Sequence, residues 1–443
     1  MKISVIGCGL RTPLLIHGLV HSGLPVSRLC LHDLDPDRAE LMASLGQSIA
    51  RGARLAVSSE PDLARAVRDS SFVISSIRVG GMAARAADER LALECGFAGQ
   101  ETTGPAGFAM ALRTVPIAIE HARLVEKFAP EAWLINFTNP AGLMTQAIST
   151  HTQARIVGIC DTPAELFFRI ALALEEPLEE VECDYLGLNH LGWVHTVRVR
   201  GQDLTNRLLE NDDLLNRLYP APLFPAELIR SLRLIPTEYV FFYYRARNAV
   251  ANQLLAGATR GQELLLLNAR VLSELESNVR KGDIPAALNA YRAYLNRRNA
   301  SYMHLEGSGE SALQQPDADW NPFEGATGYH RIAVDAIAAL TGSQPSRLVL
   351  NVPNQGAWAD FNDEDVIEVP CAVDKSGARP IEAQPLPQTV KGLTIAVKTY
   401  ERLTIEAALA PPLSRRNTAI QALFTNPIVA DWDAARGYVD RLA

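Results

Sequence analysis

An apolar run over residues 2–6 leads without a break into Gly7-Cys8-Gly9 and then into a helical stretch, and no other feature of the 443-residue chain constrains the fold as strongly. Such a junction places backbone N–H groups at a helix N-terminus, where they can hold a pyrophosphate. Five more β-type runs follow at 28–32, 55–57, 72–77, 133–136 and 156–159, with helical periodicity between them, clearest at 35–50, 61–69 and 106–128. Six β/α repeats predict a parallel, doubly wound sheet, a Rossmann-like domain over residues 1–160. Beyond it the pattern mixes strands (182–188, 193–200, 347–352, 366–373) with helices (262–280, 284–297, 329–341, 387–408, 415–424). Residues 161–443 are therefore expected to form a second, mixed α+β domain for substrate, metal and oligomer contacts, with a surface loop at 314–321.

Composition removes several classes of function. Net charge is −8 without a basic run, and aromatics are 7% of the chain, so neither a phosphate-backbone groove nor a base-stacking surface is expected. No apolar stretch reaches 18 residues, so no membrane span is expected. The six cysteines are scattered without a CxxC pair, which argues against a disulfide framework and for a reducing cytoplasm.

The glycine turn lacks the third glycine of the full dinucleotide fingerprint; Leu10, Arg11, Thr12 and Pro13 fill it. Asp33 raises the reading. It ends the second strand 24 residues after Gly9, where a carboxylate accepts from the ribose hydroxyls of NAD and repels the 2′-phosphate of NADP. NAD is the expected cofactor, held by Gly7, Gly9, Arg11, Thr12 and Asp33. The plainer alternative is a tight turn beside a solvated acid, and Asp35 reads as a loop or helix-start acid.

Four further segments stand out. SSIRVGGMAAR at 75–85 leaves the carboxyl end of a strand with Arg78 and Arg85, which could clamp an anion or simply be solvated. GQETTGPAGF at 99–108 is a polar, glycine-rich loop around Glu101, of the kind whose backbone approaches a ligand. INFTNPAG at 135–142 offers Asn136 and Asn139 to sugar hydroxyls or nicotinamide, with helix capping as the alternative. GICD at 158–161 and GLNH at 187–190 place Cys160, Asp161, Asn189 and His190 at strand ends that could meet at the domain junction, where thiolate and imidazole can share a divalent metal. Each is equally open to a structural reading, Cys160 as a small buried hydrophobe and His190 as a hydrogen-bonded histidine.

In this order these motifs resemble family 4 of the glycoside hydrolases, in the versions of its 6-phospho-β-glucosidase branch. The likeness continues through IPTEY at 235–239, VIEVPCAVDKSGARPI at 366–381, LPQTVKGL at 386–393, TYER at 399–402 and TNP at 425–427, nearly the whole chain. It implies a redox-assisted elimination rather than the two-carboxylate hydrolysis of most glycosidases. NAD takes hydride from C3, a base removes the acidified C2 proton, the aglycone leaves, water adds and the hydride returns. By position the resemblance implies Cys160 and His190 as ligands of a divalent metal, usually Mn²⁺, and Tyr239 as the base, with Tyr243 and Tyr244 as alternatives. It implies Glu101 as leaving-group acid, Asn136 at the cofactor, and Arg78, Arg85, Asn139, Asp161 and Asn189 at a 6-phosphorylated glycoside, in a homodimer or homotetramer.

Two departures stand against the branch pattern. Asp161 replaces the Asn that follows the metal cysteine, and Glu324 stands where an arginine opens the segment before a late helix, with Arg297 or Arg331 as possible compensation. Three other functions stay open: an NAD-dependent dehydrogenase of lactate/malate type, which shares the first domain; a glycosidase of the same family acting on a non-phosphorylated sugar; and a non-catalytic NAD- or sugar-binding relic.

Overall fold

The computed structural model describes residues 1–307, 321, 323, 328–343, 345–381 and 384–442. All six expected strands form: β1 (Lys2–Ile6), β2 (Arg28–His32), β3 (Ala56–Ser59), β4 (Phe72–Ser75), β5 (Trp133–Asn136) and β6 (Arg155–Gly158). Helices α1 (Thr12–His21), α2 (Pro36–Ile49), α3 (Leu63–Val67), α4 (Gly81–Glu94), α5 (Gly104–Phe128), α6 (Ala141–His151) and α7 (Thr162–Leu174) separate or follow them. β4 is buried at every position because helices cover both faces of the sheet, which is why the parallel strands read as continuous apolar runs.

The strands of the two sheets are not partitioned at residue 160. β7 (Val181–Leu188), β8 (Leu191–Val199), β9 (Gln202–Asp203) and β10 (Ile235–Pro236) do build a separate antiparallel sheet. β11 (Ser346–Pro353), β12 (Val366–Asp374) and β13 (Gly377–Pro380) instead return to the first sheet, extending it to nine strands in the order β13-β12-β11-β6-β5-β4-β1-β2-β3. The join is antiparallel and narrow, with Asn351 paired to Gly158. One large core therefore runs from Ile3 and Leu31 under the first sheet to Trp193, Phe241 and Tyr291 of the second lobe.

The C-terminal helices Gln388–Leu409 and Pro412–Thr425 pack against α5 through Phe108, Tyr400, Ile420 and Leu423. A last helix, Trp432–Leu442, was not expected; its buried Ala435, Tyr438 and Val439 give only one short apolar stripe. The expected loop at 314–321 and Glu324 lie outside the described residues, except for Asn321. No described helix is long and apolar enough to cross a membrane.

Candidate active site

At the carboxyl end of β1 the chain turns so sharply that Gly7 has φ +89°, and a Cβ there would meet the Ser76 carbonyl oxygen at 2.5 Å. Gly9 is the opposite case: a Cβ on it would find nothing within 4 Å, so the backbone is open where a ligand would lie. Asp33 closes the turn by accepting from the N–H groups of Cys8 (2.7 Å) and Asp35 (3.0 Å), with lone pairs left for hydroxyls. Asp35 caps α2 by accepting from the Arg38 N–H at 3.1 Å. Thr12 begins α1 and is buried. Turn, helix end and acid fit a dinucleotide. Arg11 sends its guanidinium elsewhere, to Asp161 at 3.2 Å and over the Phe137 and Tyr329 rings. That pairing neutralises the Asp161 carboxylate.

The structure brings Cys160 and His190 together from different sheets. Cys160 follows β6, His190 lies in the two-residue turn between β7 and β8, and Sγ and Nε2 are 3.5 Å apart. His190 has φ +62°, a left-handed conformation that costs a non-glycine residue about 1 kcal/mol. Its Nδ1 contacts the Thr102 hydroxyl at 2.7 Å, and that hydroxyl donates to Gln100 Oε1 at 2.9 Å. The single hydroxyl proton being spent, Nδ1 carries the proton and donates, so Nε2 presents its lone pair toward Cys160. Burial pushes His190 down to about 4, which keeps the ring neutral, and pushes the Cys160 thiol well up, so a thiolate there requires a cation. A soft ligand, a neutral imidazole of fixed tautomer and this spacing fit a shared divalent ion. Among the described residues no third His, Cys, Asp or Glu completes a ligand set, which leaves other positions to substrate or water oxygens.

Tyr239 stacks on the His190 ring, with centroids 3.8 Å apart and planes 6° from parallel. Tyr243 and Tyr244 do not line the cavity that Tyr239 lines. Burial, then Glu101 and Glu238, raise the Tyr239 hydroxyl above the ordinary tyrosine range.

Glu101 does not suit the acid role. Burial would raise its pKa, but Arg78 and Arg85 hold it well below the usual carboxylate range: it pairs with Arg78, and with Arg85 Nη1 at 2.8 Å. A carboxylate locked between two guanidiniums has no proton to give. For the same reason the two arginines are poor free anion clamps. Arg85 also binds Glu89 at 2.7 Å, and Arg78 stands outside the main cavity. Two asparagines are likewise spoken for. Asn136 accepts from the Thr138 N–H at 3.1 Å and directs its amide to Ala141 O and Thr145 Oγ1 (3.2 and 3.1 Å), so it shapes the turn and leaves no atom for a cofactor. Asn189 accepts from the Ala141 N–H at 2.9 Å and donates to Glu368 at 3.1 Å.

A cavity of about 400 Å³ opens between Arg11 and Leu14 of the glycine turn and helix, the Cys160–His190 pair, Asn139, Asp161 and Tyr239. That volume suits a small molecule. Its far wall includes Arg260 and Arg298, which sequence reasoning missed. Arg260 is tied to Glu263, Ser301 and the Arg298 carbonyl. Arg298, half-buried, has no carboxylate within ion-pair distance among the described residues. Arg297 and Arg331 are exposed and do not line the cavity.

The family model for family 4 glycosyl hydrolases matches residues 2–176, and the model for that family's C-terminal domain matches residues 185–429. The chain belongs to family 4 of the glycosyl hydrolases. This glycosyl hydrolase is 28% identical to a 6-phospho-beta-glucosidase of Escherichia coli, over 98% of its own length and 93% of the relative's. A maltose-6′-phosphate glucosidase of Bacillus subtilis is also 28% identical, over 86% of this chain and 82% of the relative. Among solved structures, the 6-phospho-beta-glucosidase of Thermotoga maritima with manganese, NAD⁺ and glucose-6-phosphate superposes with a TM-score of 0.80 at 27% identity, covering 100% of this chain and 97% of that one. The boundary between the two family models, at residues 176–185, lies beyond α7 and close to the start of β7.

Proposed function

We propose that this family 4 glycosyl hydrolase cleaves 6-phosphorylated glucosides, with β-linked ones the primary expectation, by NAD- and divalent-metal-assisted elimination at C1–C2. The observation that carries the proposal is the Cys160–His190 pair, 3.5 Å apart and stacked against Tyr239, in one cavity with the glycine turn. When bound, the dinucleotide supplies reversible hydride acceptance at the sugar's C3, and the divalent ion, Mn²⁺ by analogy with the Thermotoga structure, supplies Lewis acidity beside the C2 and C3 oxygens.

The chain's own residues do the rest. Asp33 orients the ribose, and Cys160 and His190 hold the ion. Tyr239 takes the C2 proton on its phenolic oxygen, which a nearby cation makes feasible by offsetting the burial that raises its pKa. Arg11 neutralises Asp161 at the cavity wall, and Asn139 lines the cavity to meet sugar hydroxyls. Arg298 is the cation left to meet the phosphate, because Arg78 and Arg85 are already neutralised. A phosphorylated substrate and six free cysteines fit a cytoplasmic enzyme. A homodimer or homotetramer would cover Leu254, Leu255 and Leu266, which are 61%, 85% and 73% exposed; sedimentation at micromolar concentration tests this.

The deciding assay compares aryl 6-phospho-β-glucosides with their α-anomers and their unphosphorylated counterparts, with and without NAD and Mn²⁺. Aglycone release that needs both, with no net NADH, supports the proposal. Net NADH from a hydroxy acid would replace it with a dehydrogenase, and equal turnover of free glucosides would remove the phosphate. Arg298→Ala should raise KM for the phosphorylated substrate by roughly 30-fold, the loss of about 2 kcal/mol from a charge-assisted contact, with a smaller effect on kcat. An unchanged KM would release Arg298 from this role. Asp33→Ala should weaken NAD binding by roughly 10-fold and narrow its preference over NADP. Equal NAD/NADP discrimination before and after would leave Asp33 as a turn-closing acid only.

A further inference from the structure

Cys160 and His190 project from two different sheets, so their separation is set by how those sheets dock. Cys160 follows β6 of the nine-stranded sheet, and His190 sits in the turn of the second sheet. Directly between the sheets lies Glu368 on β12, 1% exposed. One of its oxygens accepts from the Tyr185 hydroxyl of β7 at 2.7 Å. The other accepts two amides, Asn189 Nδ2 at 3.1 Å and Asn351 Nδ2 at 2.9 Å. Asn189 is the residue before His190. Asn351 is the β11 residue paired with Gly158, two positions before Cys160. The space around these amides is already full: a Cβ on Gly142 would lie 3.1 Å from Asn189 Cβ and 3.2 Å from Asn351 Oδ1, and one on Gly158 would lie 2.8 Å from Asn351 Cβ. A single buried carboxylate thus grips β11, the strand paired with the one that leads to Cys160, and the turn that carries His190.

We propose that Glu368 is a positioning residue that clamps the two sheets and so holds Cys160 and His190 at the spacing of a shared divalent ion. It acts through Asn189 and Asn351. The physical basis is that groups fixing the orientation of metal ligands change affinity nearly as strongly as some ligands do. The carboxylate's value here lies in its acceptors, since all three partners donate to it. A glutamine can keep one oxygen on both asparagines and donate its amide to the Tyr185 hydroxyl, whereas a methionine of similar volume offers no comparable acceptor.

The inference rests on the metal reading above, and the test separates the two. Mn²⁺ binding to the full chain is measured by electron paramagnetic resonance of the free ion, alongside NAD binding and melting temperature. Glu368→Met should weaken Mn²⁺ by about 10- to 100-fold while leaving NAD affinity within about twofold. Glu368→Gln should restore most of the loss. Leu423→Ala, a core truncation among the C-terminal helices, should lower the melting temperature without moving Mn²⁺ affinity. If Glu368→Met does not fold, Asn351→Ala, which releases only the β6–β11 side and keeps the carboxylate, should weaken Mn²⁺ in the same direction. Wild-type affinity in Glu368→Met, or in Asn351→Ala where that variant decides, overturns the clamp. So does a Glu368→Gln as weak as Glu368→Met, which would point to charge rather than position. A wild-type chain that binds no Mn²⁺ removes the metal reading itself, whereas wild-type binding with insensitive variants removes only Glu368.

Discussion

Cys160→Ser is expected to lower turnover by about 100-fold or more while NAD affinity and melting temperature stay close to wild type. Serine nearly matches the thiol in volume, so the 4%-exposed site should not be left with a cavity. What changes is the donor: a hard hydroxyl replaces a soft thiolate, and an alcohol is far harder to deprotonate beside a cation. The dinucleotide turn at Gly7–Gly9 belongs to a different strand end, so its binding should report independently on the fold. The measurement pairs kcat across a Mn²⁺ titration with NAD binding to the same protein. Full activity in the variant, or in wild type with excess EDTA, would remove the metal from the mechanism. A parallel loss of NAD affinity would mean that serine had disturbed the fold rather than the ligand set.

The residues that could be read from sequence and those that could not differ by where their partners lie. The strands β1, β2, β4, β5 and β6 were legible because burial on both faces turns each into an apolar run, a purely local signal, whereas β3 is an edge strand with only Val57 buried. The return of β11 to β6 was not, since it depends on one Asn351–Gly158 pairing across nearly 200 positions and on two long apolar strands that would suit either sheet. The same contrast governs the site. Cys160, His190 and Tyr239 were found because each sits in a distinctive short motif, and the structure brings all three together. Arg78, Arg85, Asn136 and Asn189 were found as unusual residues, and the structure shows each of them engaged by other protein groups. What decides between binding a ligand and bracing a loop is whether the polar atoms are already satisfied. Glu368 and Glu101, which engage Asn189 and the arginines, were not tied to them by any local pattern, whereas Glu89 stands four residues after Arg85 on α4, the helical spacing of an ion pair. Arg298 was missed because an arginine on a polar helix face looks like any other. Thr102 and Glu368 did leave a trace: a threonine directly after Glu101 in GQETTGPAG, and an acid in the apolar strand VIEVPC.

Turnover in D₂O should place deuterium at C2 of the released sugar 6-phosphate, and Tyr239→Phe should slow both exchange and turnover by about 100-fold or more. Elimination requires the C2–H bond to break after oxidation at C3, whereas direct displacement at C1 leaves that bond untouched. Tyr239 is the tyrosine in contact with His190, and its hydroxyl pKa is raised first by burial and then by Glu101 and Glu238, so phenolate forms only where a cation compensates. Phenylalanine keeps the ring and its stacking on His190 but has no oxygen to accept a proton. Metal and NAD affinity should therefore survive in Tyr239→Phe, which separates loss of the base from loss of the site. Mass spectrometry of the product together with proton NMR at C2 gives the label's position and its rate of entry. A product without deuterium at C2 would rule out the elimination. Deuterium entering at the wild-type rate in Tyr239→Phe would keep the elimination and remove only Tyr239, leaving Tyr243 and Tyr244 to be tested in the same way; neither lines the cavity, so a role for either would require the helical segment after β10, residues 238–244, to rearrange when substrate binds.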